Sequence, residues 1–246
     1  MKRFLADMHV HTILSPCGSL QMSPKNIIRA AKAKNIHILG ITDHNSTLHT
    51  KLMTELGEKE NILVLPGSEV NTKEEVHCLT FFENTEIAGE FQLFLDRFLP
   101  PVQNDPLRFG DQVVLNNSEE IVEEVKPLLI SALEADIYEV AAEVKRLGGL
   151  FIPAHIDRFF NSIFSQLGFI PSDLDVDALE ISSASSVNCF IQQHPELMNY
   201  TIITNSDAHH PENIARAYTL FELERCSFKE IHQALHNKNG RKVIVE

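Results

Sequence analysis

The sequence predicts an α/β fold built on a mostly parallel sheet or barrel. Apolar, β-branched runs alternate with helix-period segments along the whole chain, which is the pattern of repeated βα units. Several of these runs carry a histidine or carboxylate at one end, where barrels and open α/β sheets place their sites. The 246 residues are 43% hydrophobic, enough to fill one substantial core.

The first strand candidate is RFLADMHVH, and a helix follows it with Ser23 as N-cap, Pro24 at its first position and Ile27, Ile28 and Ala31 on its apolar face. IHILGIT is the second strand. ILVLPGSEV and VHCLTFF are the third and fourth, and the short link NTKEE between them predicts a hairpin. A helix is expected over 86–98. The stretch 100–117 has prolines at 100, 101 and 106 and no helical period, so it reads as an irregular insertion, either a substrate lid or an ordinary surface excursion. Helices are then expected over 118–125 and 137–147, the latter closed by Gly148-Gly149 before the strand GLFIPAH. VDALEIS, TIITNSD and AYTLFEL complete the strands, with helices over 187–199 and 227–237. Neither a repeat nor an interdomain linker is visible, so the expectation is one domain over 1–246.

Composition excludes several classes. Ten glycines, eleven prolines and no low-complexity block exclude disordered and fibrous chains. No apolar run reaches the ~18–20 residues of a membrane helix, and MKRFLADMHVH turns polar too early for a signal peptide. Cys17, Cys78, Cys189 and Cys226 are scattered without a CxxC pair, which reads as a reduced, cytoplasmic protein. A net charge of −13 with no basic stripe argues against long nucleic acid as a partner. Histidine is the outlier, with twelve residues, many beside carboxylates.

In a strand, Asp7, His9 and His11 share a face, and two imidazoles about 7 Å apart can converge on one metal. Asp7, behind them, is placed to orient a ring. His44 follows the run IHILGI beside Asp43, Glu69 lies at the end of ILVLPGSEV, and His155 closes GLFIPAH. Asp207 and His209 close TIIT with the same i, i+2 spacing as the first strand. An antiparallel return from the third strand sets His77 across from Glu69. Carboxylates and imidazoles buried at strand ends are costly unless paired or metal-bound.

The motifs DMHVHT, ITDHN, GSEV with a following histidine, PAH and NSDAH, spanning Asp7 to His209 in order, resemble the PHP (polymerase and histidinol phosphatase) family of metal-dependent phosphoesterases. The resemblance implies a distorted (β/α)7 barrel holding two to three divalent transition metals. Zinc is the first expectation, with iron or manganese as alternatives. Carried over by position, His9, His11, Glu69 and Asp207 hold one metal. Glu69 bridges to a second held by His77 and His155. His44, His209 and Cys17 hold a third, with Cys17 standing where many members carry His or Asp. A thiolate there suits zinc or iron and not manganese.

The implied activity is hydrolysis of a phosphomonoester, nucleotide or short oligonucleotide by a metal-bridging hydroxide. Three divalent ions against three anionic donors leave the pocket positive, which suits a small anionic phosphate substrate. Asp43, Asp157, Arg158 and His209 are the catalytic candidates, with Arg158 as phosphate clamp and Asp157 or His209 as leaving-group acid. The alternative is a non-catalytic metal-binding module of the same family that regulates or stabilises a partner. His37, His49, His194, His232 and His236 lack ligand spacing and read as surface or capping residues. Cys78 and Cys189 read as core.

Overall fold

The structure, a computed structural model, describes residues 1–244, with backbone alone for 184–186. Strand β1 (Lys2–Val10) is followed by α1 (Pro24–Ala33), β2 (Ile38–Ile41), α2 (Thr50–Lys59) and β3 (Leu63–Asn71), and the three strands pair in parallel. Strand β4 (His77–Phe81) returns antiparallel to β3, as the short link predicts. After α3 (Thr85–Phe98) come a short helix α4 (Pro106–Phe109) and a hairpin of β5 (Val113–Leu115) and β6 (Ile121–Glu124). Then follow α5 (Ile137–Arg146), β7 (Leu150–Pro153), α6 (Ile163–Leu167), β8 (Leu179–Glu180), α7 (Ala184–Gln193) and β9 (Ile202–Ile203). The chain ends in β10 (Thr219–Leu223), α8 (Phe228–Leu235) and β11 (Lys242–Ile244).

The main sheet runs β11-β10-β1-β2-β3-β4-β7, with β8-β9 as a separate parallel pair. That pair bridges the gap between β7 and β1. On one side Asp177 N donates to Phe151 O and Ile156 N to Glu180 O; on the other, His11 N donates to Ala208 O and Ala208 N to His9 O. Seven strands thus curl into the distorted (β/α)7 barrel that the family resemblance implies, with β10 and β11 extending outward along β1. Among the described residues no helix is long and apolar enough to cross a membrane.

Burial explains the arrangement. Ala6, Met8, Leu65, Leu79, Ile152 and Ile203, from β1, β3, β4, β7 and β9, form one enclosed cluster that α8 closes with Ile231 and Ala234. Helices α1 and α2 lay Ile27, Ile28, Ala31 and Met53 over Val10, Leu39, Ile41 and Val64. Helices α3 and α5 lay Phe91, Leu95, Val140 and Val144 over Val70, Cys78 and Phe151. A Cβ on Gly67 would lie 2.2 Å from Thr80 O, so only glycine lets β3 and β4 approach at this point, two residues before Glu69.

Several local expectations are corrected. Residues 118–125 contain a strand, β6, instead of a helix. Asn116 Oδ1 accepts from Ser118 N and Glu120 N while Glu119 takes φ +63°, and that turn folds the segment back on β5. The helix expected over 187–199 stops at Gln193, because Pro195 starts a separate 3-10 turn. Ser23 precedes α1 as expected, but its hydroxyl donates to Glu119 Oε1 at 2.6 Å and does not cap the helix. The insertion around 100–117 is pinned to the body: Leu115 N donates to His49 Nε2 at 2.8 Å, and Val113 and Leu115 pack on Ile13. His49 is therefore a fully buried structural residue and not a surface one. Cys189 is exposed instead of core, whereas Cys78 is buried.

Candidate metal centre

Glu69 collects five imidazoles: His9 and His11 from β1 and its end, His77 from β4, and His44 and His155 from the loops after β2 and β7. Its Oε1 lies 3.3 Å from His9 Nε2, 2.9 Å from His77 Nδ1 and 3.1 Å from His155 Nε2; its Oε2 lies 3.2 Å from His11 Nε2 and from His44 Nδ1. The β3–β4 register pairs His77 with Asn71, so His77 reaches Glu69 along the diagonal, from the same face. Asp207 Oδ1 lies 3.2 Å from both His9 and His11 Nε2. His155 and Asp207 reach these positions with φ of +30° and +50°, strained for non-glycine residues and a frequent mark of functional sites.

Five imidazoles on one buried carboxylate are more than it can accept as hydrogen-bond donors, since it offers about four lone-pair directions. His9 and His11 face each other Nε2 to Nε2 at 3.2 Å, which two protonated rings could not sustain. Buried polar atoms without a hydrogen-bond partner among the described residues include His44 Nδ1, His155 Nδ1 and Asp207 Oδ1. Cations among these donors resolve all three anomalies, so the residues fit a metal centre. Three groupings have ligand atoms within 4.8 Å of one another: His9, His11, Glu69 and Asp207; His44, Glu69 and His77; and His11, Cys17, His44 and His209.

Two of the rings are held from behind. His9 Nδ1 donates to Glu180 Oε2 at 3.0 Å, which leaves Nε2 bare toward the cluster. Glu180 also accepts from His155 N and Asn205 Nδ2. His11 Nδ1 donates to Ser15 Oγ at 2.9 Å, and that hydroxyl donates to Asp43 Oδ1 at 2.8 Å. Asp43 also accepts from Thr12 N and Thr12 Oγ1. It is buried behind the cluster, away from the cavity, and positions the loop that carries Cys17.

Burial opposes charge on Glu69, yet the facing His77, His9 and His44 hold it well below the usual carboxylate range. Burial also opposes a proton on His11, but Asp207 and Glu69 outweigh it and hold His11 up at about 9. Burial and then the His11 charge push His209 down to about 4, and burial pushes His44 well below its ordinary value. Those two rings are neutral at pH 7, the form that ligates metals.

Cys17 Sγ lies 3.0 Å from His209 Nε2. Loss of hydration, then the charges of Glu69 and Asp207, push its thiol above the ordinary range. A cavity of about 560 Å³ opens over the cluster, with Cys17, His209, Asp157, Arg158 and Phe159 on its wall. Arg158 Nη1 donates to Asp207 Oδ2 at 2.6 Å, and Asp157 accepts from Ser182 N and Oγ.

All nine donors expected from the sequence lie in this region. Asp7 does not orient a ring as expected. The β1–β2 register shifts between Asp7 and Val10, which turns Asp7 to accept from Ser206 N, Ser206 Oγ and Ala215 N. The carboxylate behind His9 is Glu180, which sequence reasoning missed. An acid inside the apolar run DALEI was the available signal.

A barrel whose strand ends converge on a histidine and carboxylate cluster of this kind defines a metal-binding α/β barrel. The chain belongs to the PHP domain family: the PHP domain pattern matches residues 7–144, and the PHP-associated pattern matches 196–239. An uncharacterized protein of Bacillus subtilis is 25% identical over 99% of this chain, which covers 65% of that protein's length. The lesion-specific endonuclease Q of Pyrococcus furiosus shares the fold at a TM-score of 0.71 and 21% identity, over 98% of this chain and 58% of that one. A candidate metal-dependent phosphoesterase of Bifidobacterium adolescentis shares it at a TM-score of 0.58 and 17% identity, over 95% of this chain and 96% of that one.

One expectation is overturned here. Endonuclease Q, also solved with a 27-mer duplex bearing an abasic lesion at its active site, shows that this fold serves long nucleic acid. The net charge of −13 is therefore no ground for excluding such a partner. Net charge averages over the surface, whereas binding depends on the local field at the mouth.

Proposed function

We propose that this chain is a metal-dependent phosphoesterase. The observation that carries the reading is the convergence of His9, His11, His44, His77 and His155 on Glu69 beneath an open cavity that Arg158 lines. Divalent transition metals, with zinc favoured by the Cys17 thiol, would supply Lewis-acid charge and an activated water for attack at phosphorus.

The chain's own residues divide the remaining work. Glu69 joins the first two groupings, while Asp207 holds His9 and His11 through one oxygen and Arg158 through the other. Arg158 keeps further donors for the non-reacting phosphate oxygens, in the forked geometry phosphate accepts. His209, neutral at pH 7, suits a ligand better than a leaving-group acid, and Asp157, whose two oxygens accept from Ser182, shapes the cavity wall beside Arg158. Glu180 and the Ser15–Asp43 pair fix two ring orientations and touch no substrate.

The substrate is a phosphate ester. Mononucleotides, sugar phosphates, bisphosphates, short oligonucleotides and a duplex with an abasic site form the test panel, the last because of what endonuclease Q binds. Metal-reconstituted protein should hydrolyse at least one class, and Arg158→Ala should lower turnover without changing metal content. Bound ions with hydrolysis of none would instead favour the non-catalytic metal module.

A further inference from the structure

A second cluster of metal-type donors lies at the opposite end of the barrel. Asp177 precedes β8 and takes Phe151 N, near the start of β7, at 2.7 Å; His155 of the metal centre lies past that strand's other end. Asp177 Oδ2 also accepts from Lys145 Nζ at 2.9 Å, so the carboxylate is fixed with its other oxygen turned toward α8. That oxygen lies 2.9 Å from His236 Nε2. His232 is one helical turn before His236, and the ring centroids are 4.7 Å apart. Ligand atoms of Asp177, His232 and His236 all lie within 4.8 Å of one another.

We propose that Asp177, His232 and His236 form a separate site for a single transition-metal ion, zinc, nickel or copper, that clips α8 to the strands β7 and β8. Two imidazoles at i, i+4 and a fixed carboxylate oxygen supply three ligands, and the half-exposed rings leave the remaining position to water. Lys145 neutralises part of the Asp177 charge, so the site selects by imidazole affinity and rejects magnesium and calcium. His236 caps the C-terminal end of α8, where the helix dipole favours a cation. Burial first, and then the charge of His236, hold His232 below its ordinary value, which keeps its lone pair available.

The test is equilibrium dialysis of the full chain against micromolar zinc, followed by elemental analysis. The double variant His232→Ala/His236→Ala should hold one zinc fewer per chain than wild type, with hydrolytic turnover unchanged and a smaller zinc-induced rise in melting temperature. His232→Gln, which keeps the helix, should need more zinc to saturate, and excess magnesium should not compete. Equal zinc content in wild type and a folded double variant, checked by circular dichroism, would overturn the site. So would a saturation in His232→Gln that matches wild type.

Discussion

Glu180 is the residue on which the geometry of His9 depends. It is buried, its pKa is lowered against the effect of burial by His9, and it holds three separate groups through its two oxygens. Glu180→Gln keeps the size but removes the charge that makes His9 Nε2 basic. Metal affinity, measured by competition with a chelator, should fall roughly 10–100-fold with the fold intact. Glu180→Ala, which leaves His9 and Asn205 without their partner, should lower stability by about 3–5 kcal/mol. Unchanged affinity in Glu180→Gln would reduce Glu180 to a structural acid.

The ligands themselves were readable from the sequence, because histidines and acids closing apolar runs are expensive without a purpose. The residues behind them were not. Ser15 and Asp43 act through contacts made only when the β1–α1 loop folds over the strand ends, and Asp7 was misassigned because strict alternation fails at the β1–β2 register shift.

Elements with their own signals were legible, and those decided by a side chain's choice of partner were not. Helix α5 carries Asp136 and Glu139 as a reciprocal cap, and α3 starts with Asn84 accepting from Ile87 N. The β5–β6 hairpin depends instead on Asn116 bonding two backbone groups, a local choice that helix periodicity does not reveal. Helix α8 is tied to the last strand segment by Arg241, which donates through Nε and Nη2 to the two oxygens of Glu230 at 3.0 and 2.9 Å. That bond, the first cause of the shift, holds Glu230 down at about 2 from an ordinary 4.5. A depressed carboxylate stabilises the fold above its unfolded pKa and loses that contribution as pH falls through the folded one. The difference in denaturation midpoint between wild type and Arg241→Ala should therefore be largest above pH 4.5 and shrink as pH falls toward 2. A difference independent of pH would mean that Arg241 acts by packing alone.

At the scale of the whole molecule, a chain of net charge −13 carries a mouth that cations would make locally positive. The barrel serves that mouth: its apolar cluster lies beneath the ligands, and β8-β9 closes the ring that brings Glu180 and Asp207 to His9. A proton on His11, held up at about 9, competes with any incoming cation, so metal loading releases protons and weakens as pH falls. Everything in this account turns on Glu69 joining two ligand groupings. The most direct measurement is the metal content of reconstituted wild type and Glu69→Gln by elemental analysis, with folding verified in both. Wild type should carry two to three ions in the mouth, and Glu69→Gln should lose occupancy at both groupings together. Metal content and hydrolysis equal to wild type in Glu69→Gln would contradict the account.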